Sequence, residues 1–266
     1  MATTVIQAFN QFLKNTVNLD PEINKNAKIS RDWLLLQIGK FKEKDNTFPQ
    51  LYSDINMHFG SFARRTKIRE LDDIDLMIGL SGQGSTYREY SDRIEINVSE
   101  NAIDLLGLCN ANTNILNSRK VINKFVSACA NVPQYKKADI KRNQEAVTLQ
   151  LSSYTWNFDI VPCFMTTENI YGRSYYLIPD GNGNWKKTDS RIDRERTTSI
   201  NQAHDGNVLQ VIRVMKYWNK RKTMPKMSSY LLETMILDYY QNLDSTASQY
   251  VDIELPNSLH IFTIIS

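Results

Sequence analysis

The N-terminal part of the chain places apolar residues at the spacing of an amphipathic helix. The buried face of this first helix would be formed by Val5, Phe9, Phe12, Leu13 and Val17. Asp20 and Pro21 then have the pattern of an N-cap followed by a proline in the first helical turn. We expect this second helix to continue as far as Phe41, with a break near residues 24–26. The opening region is therefore predicted to be helical.

From residue 73 onward, several short segments alternate polar and apolar residues, which is the pattern of half-buried strands. These segments are residues 73–78, 94–98, 147–151 and 156–161, of which the last two would form an antiparallel pair. Two helices are expected to start at Glu100 and at Ser118, and residues 181–184 form a glycine-rich loop. Helical spacing returns in residues 208–220 and 229–240. This order of elements predicts an α+β protein with a mixed sheet and a helical C-terminal region.

Composition and charge narrow the classes of partner. The chain has 266 residues, enough for one large domain or two packed lobes. Its net charge of 32 − 29 = +3 is weak for a protein that binds duplex nucleic acid and suits a nucleotide-sized anion better. Neither a signal peptide nor an apolar stretch of membrane-spanning length is present. The three cysteines, at positions 109, 129 and 163, lie far apart and form no zinc or redox motif. A reducing cytoplasm is therefore the expected location of the protein.

The candidate chemistry begins with Asp73-Ile74-Asp75. On a strand, the period of two sends both carboxylates to one face, with their Cα atoms about 7 Å apart. Like charges this close favour a positive ion between them, and oxygen ligands suit a hard divalent cation. Asp159 is a third carboxylate flanked by apolar residues on another predicted strand. Three carboxylates can hold two ions about 4 Å apart, one activating a hydroxyl and the other neutralising a triphosphate.

Gly60 and Ser61 precede the first two carboxylates. A glycine lets the backbone approach a phosphate closely, and a serine adds a hydroxyl donor. An isolated Asp-x-Asp is also common in surface turns and solvated strands, which is the alternative interpretation. The third carboxylate, and the core-forming neighbours of all three, favour a phosphoryl-transfer site instead. Asp159 would also help to accept the proton of the attacking hydroxyl.

The order of these motifs resembles a known superfamily. Phe59-Gly60-Ser61, followed after residues 62–72 by Asp73-Ile74-Asp75-Leu76, is similar to the hG[GS] and DhDh motifs of the DNA polymerase β-like nucleotidyltransferases. Within that superfamily, GSFARRTKIRELDDIDLMI looks most like the bacterial cGAS/DncV-like nucleotidyltransferases, or CD-NTases. The later segments YLIPD, MKYWNKR and SSYLLE agree with this resemblance, at residues 176–180, 215–221 and 228–233.

The resemblance implies both an architecture and an activity. It implies a polymerase β-like nucleotidyltransferase lobe over residues 1–200, a helical lobe over residues 201–266 and an active site in the cleft between them. The implied enzyme condenses nucleoside triphosphates, such as ATP or GTP, into a cyclic di- or trinucleotide and releases pyrophosphate by two-metal-ion catalysis. In this family the product activates a separate effector protein in bacterial antiphage (CBASS) signalling.

The same resemblance assigns roles to individual residues. The catalytic carboxylates, which would also bind two Mg²⁺ ions or Mn²⁺ in their place, are Asp73, Asp75 and Asp159. Gly60 and Ser61 would hold the triphosphate, while Lys216 and Ser229 would contact the phosphates of the donor nucleotide. The alternative for Lys216 is a solvated helix lysine, and the alternative for Ser229 is a helix N-cap.

Two other functions stay open from the residues alone. The first is different chemistry on the same scaffold, either a linear 2′-5′ oligoadenylate or nucleotidyl transfer to RNA, a protein or an antibiotic. Stable nucleic-acid binding is not expected from the near-neutral charge, although one basic patch keeps an RNA acceptor open: Lys136, Lys137, Lys141 and Arg142. The second is a nucleotide sensor or antitoxin-like binding partner without catalysis, and the presence of all three carboxylates argues against it.

A few further positions carry weaker expectations. Arg64 and Arg65 are either surface charges or phosphate ligands. Asp189-Ser190 stands where many relatives carry Asn-Pro, in a region that contributes to base choice, so the base preference does not transfer. The chain ends at Ser266, earlier than most relatives, which predicts a truncated or compact helical lobe. The histidines do not fall at ligand spacing and are expected to be structural or exposed: His58, His204 and His260.

Overall fold

The computed structural model of the chain describes residues 2–224 and 226–263, and it contains both helices and strands. The helices are α1 (Val5–Phe12), α2 (Pro21–Gly39), α3 (Phe41–Lys44), α4 (Gly60–Ala63), α5 (Ile103–Leu106), α6 (Ser118–Ala130), α7 (Ser190–Ala203), α8 (Val208–Asn219), α9 (Ser229–Gln241) and α10 (Val251–Thr263). The strands are β1 (Met57–Phe59), β2 (Asp73–Gly79), β3 (Thr86–Glu89), β4 (Ile94–Asn97), β5 (Asp139–Asn143), β6 (Ala146–Gln150), β7 (Asn157–Met165), β8 (Tyr176–Pro179) and β9 (Trp185–Thr188). The chain is an α+β protein, as predicted.

The second helix begins where the sequence predicts and runs without the expected break. The Asp20 carboxylate accepts a hydrogen bond from the backbone N–H of Glu22 at 2.9 Å, which caps the first turn of α2. Helical structure continues through residues 24–26, so the predicted break is wrong. An asparagine lowers helix stability by only about 0.7 kcal/mol relative to alanine, and the burial of Leu34 and Ile38 later in α2 offsets this cost.

The strands form a mixed sheet centred on β7. This strand pairs in parallel with β2, antiparallel with β6 and, near its end, antiparallel with β8. Strand β1 extends the sheet beyond β2, and β9, β4 and β3 extend it beyond β8. The predicted antiparallel pair of residues 147–151 and 156–161 is thus confirmed as β6 and β7. Strand β7 is longer than predicted because its second half is buried on both faces and loses the alternation of polar and apolar residues.

The chain divides into two compact units, and each is discontinuous in sequence. The helical unit comprises Met1–Asn26, Ser61–Leu71 and Arg191–Ser266, and the sheet unit comprises Ala27–Gly60 and Asp72–Ser190. In the helical unit, α8 and α9 share a core of buried residues that includes Val211, Ile212, Met215, Ile236 and Tyr240. In the sheet unit, β1, β2 and β7 contribute Met57, Met77, Val161 and Cys163 to one core cluster. The lobe boundary at residue 200 and the cleft position of the active site stay predictions.

The helical predictions are confirmed for α1, α6, α8 and α9, but other helices differ. The helix expected from Glu100 is a single turn, α5. Helix α7 was not predicted because it is mostly polar, and α10 was not predicted because Pro256 lies inside it. The expectation about the chain end concerns residues 264–266, which lie outside the described residues. Within the described ranges, no helix combines the length and the apolar character that a membrane span requires.

Candidate active site

Two neighbouring strands carry the three predicted carboxylates. In the parallel pair of β2 and β7, Asp75 lies directly opposite Asp159, and Asp73 lies opposite Asn157. The three carboxylate residues are partly exposed. The apolar residues that alternate with them are buried: Ile74, Leu76, Phe158 and Ile160. Because side chains alternate along a strand, the carboxylates share one face of the sheet while their neighbours enter the core on the other.

Asp159 has a hydrogen-bond donor on the adjacent strand β6. Thr148 lies opposite Asp159 in the antiparallel register, and its hydroxyl donates to Asp159 Oδ1 at 2.7 Å. Thr148 is buried, so this bond is shielded from water and restrains the orientation of the carboxylate. The sequence does not reveal the contact, because Thr148 and Gln150 are both polar residues of β6 and only the strand register brings Thr148 beside Asp159.

Gly60 lies against the Asp75 carboxylate. Its φ of 70° is in the left-handed region, which favours glycine. A β-carbon at position 60 would lie 1.7 Å from Asp75 Oδ2 and 2.6 Å from Asp75 Cγ, closer than atoms can approach. The backbone turn from β1 into α4 therefore needs glycine for two reasons, its conformation and the space that Asp75 occupies.

The structure places the three carboxylate residues through the backbone of β2 and β7. Considering residues 2–224 and 226–263, no three histidine, cysteine, aspartate or glutamate side chains are arranged to hold a metal ion. What the structure provides is the backbone placement: Asp75 and Asp159 as direct neighbours, with Asp73 one alternation further along β2. Asp73, Asp75 and Asp159 each take part in polar or electrostatic interactions within the chain.

The helical unit contains a second group of charged residues around Glu233. Glu233 on α9 is 1% exposed. It accepts hydrogen bonds from Arg64 Nε at 2.6 Å, from Thr66 Oγ1 at 2.9 Å and from Lys216 Nζ at 3.3 Å. Lys216 on α8 is therefore not a solvated helix lysine, and Arg64 is not a surface charge, whereas Arg65 is exposed. Residue spacing alone gave no indication of Glu233, because its partners lie in separate segments of the chain.

Burial and charge shift the pKa values of this group. Burial favours the neutral form of Glu233, but the hydrogen bond from Arg64 and the charge of Lys216 outweigh it and lower the pKa of Glu233 below its usual value. Burial lowers the pKa of Lys216, and Glu233 offsets only part of this effect. The positive charges of Arg64 and Lys67 add to the lowering of the Lys216 pKa. Two cationic side chains thus share the one buried carboxylate of Glu233.

The two serines predicted to contact phosphates lie at the starts of helices. Ser61 follows Gly60 in α4, and its carbonyl accepts from the backbone N–H groups of Thr66 at 3.0 Å and Lys67 at 3.1 Å. Ser229 is the first residue of α9 and is exposed, while Ser228 occupies the N-cap position. The N-cap alternative for Ser229 is therefore wrong by one residue.

His204 has the structural role that its spacing suggested. It is buried in the helical unit, where Nε2 lies 2.8 Å from the Tyr240 carbonyl oxygen and Nδ1 accepts from the Ala247 backbone N–H at 3.0 Å. The two contacts fix both ring nitrogens. The side chain of His260 lies outside the described residues.

The chain is similar to known proteins both in sequence and in fold. No protein-family model matches the chain. A probable cyclic nucleotide synthase of Bacillus cereus (strain VD146) is 54% identical over 243 residues, which cover 91% of this chain and 73% of the relative. Structures of E. coli MS115-1 CdnC, one with ATP and one in a complex with HORMA-deltaN, match with a TM-score of 0.64 at 16% identity. The matched regions cover 97% of this chain in both cases, and 71% and 70% of the two CdnC chains. This chain therefore has the fold of CdnC.

Proposed function

The chain belongs to the cGAS/DncV-like nucleotidyltransferases, and we propose that it joins nucleoside triphosphates into a cyclic di- or trinucleotide. In each condensation a ribose hydroxyl oxygen forms a bond to the α-phosphorus of a nucleotide. The bond between that phosphorus and the α,β-bridging oxygen breaks, pyrophosphate leaves, and the hydroxyl proton passes to a base. A second condensation closes the ring in the dinucleotide case.

The observation that carries this proposal is the placement of Asp75 directly opposite Asp159 on adjacent parallel strands, with Gly60 packed on Asp75. Strand pairing holds the backbone of both aspartates, so the carboxylates need no side-chain contact with each other to stay close. Asp159, oriented by the Thr148 hydroxyl, is proposed to accept the proton of the attacking hydroxyl.

We propose that Asp73, Asp75 and Asp159 hold two Mg²⁺ ions, for which Mn²⁺ is expected to substitute. The donor set fits, because carboxylate oxygens on one face of a sheet are the ligands that hard divalent cations prefer. The space that a side chain at position 60 would take is left to the Asp75 carboxylate. Bound ions would supply the positive charge that stabilises the triphosphate and the departing pyrophosphate.

The remaining predicted residues are proposed to bind the triphosphate. Gly60 and Ser61 would present backbone N–H and hydroxyl groups to phosphate oxygens, since a glycine without a side chain lets the backbone come close. Lys216 and Ser229 would contact the phosphates of the donor nucleotide. Lys216 shares the single carboxylate of Glu233 with Arg64, which favours binding of an anionic ligand.

We further propose a place for the reaction in the cell. The product would act as a second messenger that activates a separate effector protein in antiphage (CBASS) signalling. The cytoplasm supplies the nucleoside triphosphates, and it suits the three buried cysteines, which are unpaired thiols within the described residues: Cys109, Cys129 and Cys163.

The test is incubation of the purified chain with ATP, GTP, CTP and UTP in the presence of Mg²⁺. We expect pyrophosphate release and a product that resists phosphatase, because a cyclic product has no terminal phosphate. Mass spectrometry then identifies the bases and the ring size. A product that phosphatase shortens would support linear synthesis instead, and ATP binding without pyrophosphate release would support the sensor.

A further inference from the structure

The buried carboxylate of Glu233 joins three parts of the helical unit that are far apart in sequence. It accepts from Arg64 and Thr66, which follow Ser61, and from Lys216 on α8, while Glu233 itself belongs to α9. We propose that Glu233 is a positioning residue that holds Arg64, Lys216 and the turn after Ser61 together as one triphosphate-binding group. This inference rests on the proposed function, because it takes a nucleoside triphosphate as the ligand.

Hydrogen bonds close the turn after Ser61 and connect it to α9. The Ser61 carbonyl accepts from the backbone N–H groups of Thr66 and Lys67, which closes the turn on itself. The Thr66 hydroxyl then donates to Glu233 Oε2 at 2.9 Å, which ties the closed turn to α9. Loss of the Glu233 carboxylate would therefore release the turn that begins at the predicted phosphate-binding serine.

Helical spacing connects the same carboxylate to the other predicted phosphate contact on α9. Ser229 and Glu233 are four residues apart in one helix, so they lie on the same side, one turn from each other. Lys216 from α8 reaches this side of α9 through its bond to Glu233. Glu233 thus lies one turn behind Ser229 and holds the ammonium group of Lys216 and the guanidinium group of Arg64.

Among the described residues, Glu233 bonds to two cationic side chains with a single carboxylate. One carboxylate faces two cations whose side chains are 11% and 7% exposed, those of Arg64 and Lys216. A buried charge without a counter-charge lowers the stability of a fold. Apolar side chains in the same place would give a more stable fold than an excess of buried positive charge. A triphosphate would supply the missing negative charge. This imbalance favours a ligand-binding role over a purely structural one.

The test compares two buried glutamates of the same helical unit. Glu233→Gln keeps the shape of the side chain and removes its charge. The matched control is Glu254→Gln, because Glu254 is 5% exposed and accepts only neutral donors in its recorded bonds, the Tyr240 hydroxyl and the Ser248 N–H, both at 2.7 Å. Calorimetry measures the affinity of each full-length variant for ATP and for AMP with Mg²⁺, and thermal unfolding reports the stability of each fold.

We expect Glu233→Gln to weaken ATP binding about tenfold, the equivalent of one charge-assisted hydrogen bond, and to leave AMP binding unchanged. Glu254→Gln should lower the melting temperature without changing the ratio of the two affinities. An unchanged ratio in Glu233→Gln, or an equal change in both variants, would overturn the proposal. If the unaltered chain binds no nucleotide, the proposed function itself fails, which is a different result.

A second variant covers the case in which Glu233→Gln does not fold. Thr66→Val keeps the volume of the side chain and removes a single donor to Glu233. We expect it to weaken ATP binding about threefold, with AMP binding unchanged. Unchanged ATP affinity in a folded Thr66→Val chain would overturn the coupling between the turn and Glu233.

Discussion

Asp75 and Asp159 are direct neighbours across the parallel strands β2 and β7. Neighbouring strands lie about 4.8 Å apart, so the backbone alone keeps the two carboxylates close. Like charges at this separation repel each other unless a cation lies between them. Changing one carboxylate to an amide therefore removes a proposed metal ligand and a repulsion together, and we expect it to leave the strand pairing intact.

Asp75→Asn is expected to lower turnover by at least about a thousandfold, because bound metal ions typically supply several kcal/mol of transition-state stabilisation and Asp75 is a proposed ligand. Stability should stay equal or rise slightly, since repulsion with Asp159 is relieved. Pyrophosphate release and urea unfolding measure the two quantities. Asp139→Asn is the control, because Asp139 is exposed on β5 and pairs with Lys141. Turnover within about tenfold of the unaltered chain would remove Asp75 from the site.

Gly60→Ala tests the close approach of backbone and carboxylate. The new methyl group would overlap Asp75 Oδ2, and an alanine at φ 70° costs about 1–2 kcal/mol by itself. We expect a loss of stability of at least this size together with a large loss of activity. Gly107→Ala is the matched control, since Gly107 has a φ of −63° and an added β-carbon there meets no atom within 4 Å. Equal effects of the two substitutions would contradict the assignment.

Thr148→Val removes the hydroxyl that orients Asp159. A hydrogen bond to a charged group contributes about 1.5–3 kcal/mol, so kcat should fall about tenfold or more. The KM for nucleotide should not change, because Thr148 is not proposed to contact the triphosphate. Thr148→Ser keeps the hydroxyl and should restore most of the activity in a steady-state assay. Similar kcat values for the valine and serine variants would show that the hydrogen bond has no role.

The sequence predicts elements whose burial follows one period. Strand β2 was predicted because Asp73 and Asp75 alternate with apolar residues, and the same alternation continues from Trp156 into β7. Helix α7 was not predicted, because its buried residues are few and include the polar Thr197. Periodicity reports which face of an element is buried, so an element with little buried surface or with two buried faces leaves a weak pattern.

Relations between distant segments are less accessible to sequence reasoning. The pattern predicted that Asp159 would share a site with Asp75, and the register now makes them direct neighbours. The family resemblance assigns a role to Lys216 and leaves two alternatives for Arg64. Glu233 ends the SSYLLE segment but receives no role from the sequence, although it binds both of them. A lone glutamate on an amphipathic helix looks like a solvated residue in sequence. Only the packing of α8, α9 and the turn after Ser61 shows that it is buried.

Asp104 provides a test of stability outside the proposed site. Burial acts to raise the pKa of Asp104, but hydrogen bonds from Lys42 at 2.7 Å and Gln83 at 2.8 Å outweigh it and lower the pKa below its usual value. A lowered pKa stabilises the fold at pH values above the unfolded value, and this stabilisation is lost as the pH falls through the folded value. Asp104→Asn should cost about 1 kcal/mol at pH 7, a figure reduced for partial solvent screening, with activity unchanged. Urea unfolding measures the free energy of unfolding of both chains. The difference between the two free energies should shrink below about pH 4. A difference that stays constant with pH would show that the charge of Asp104 is not its source.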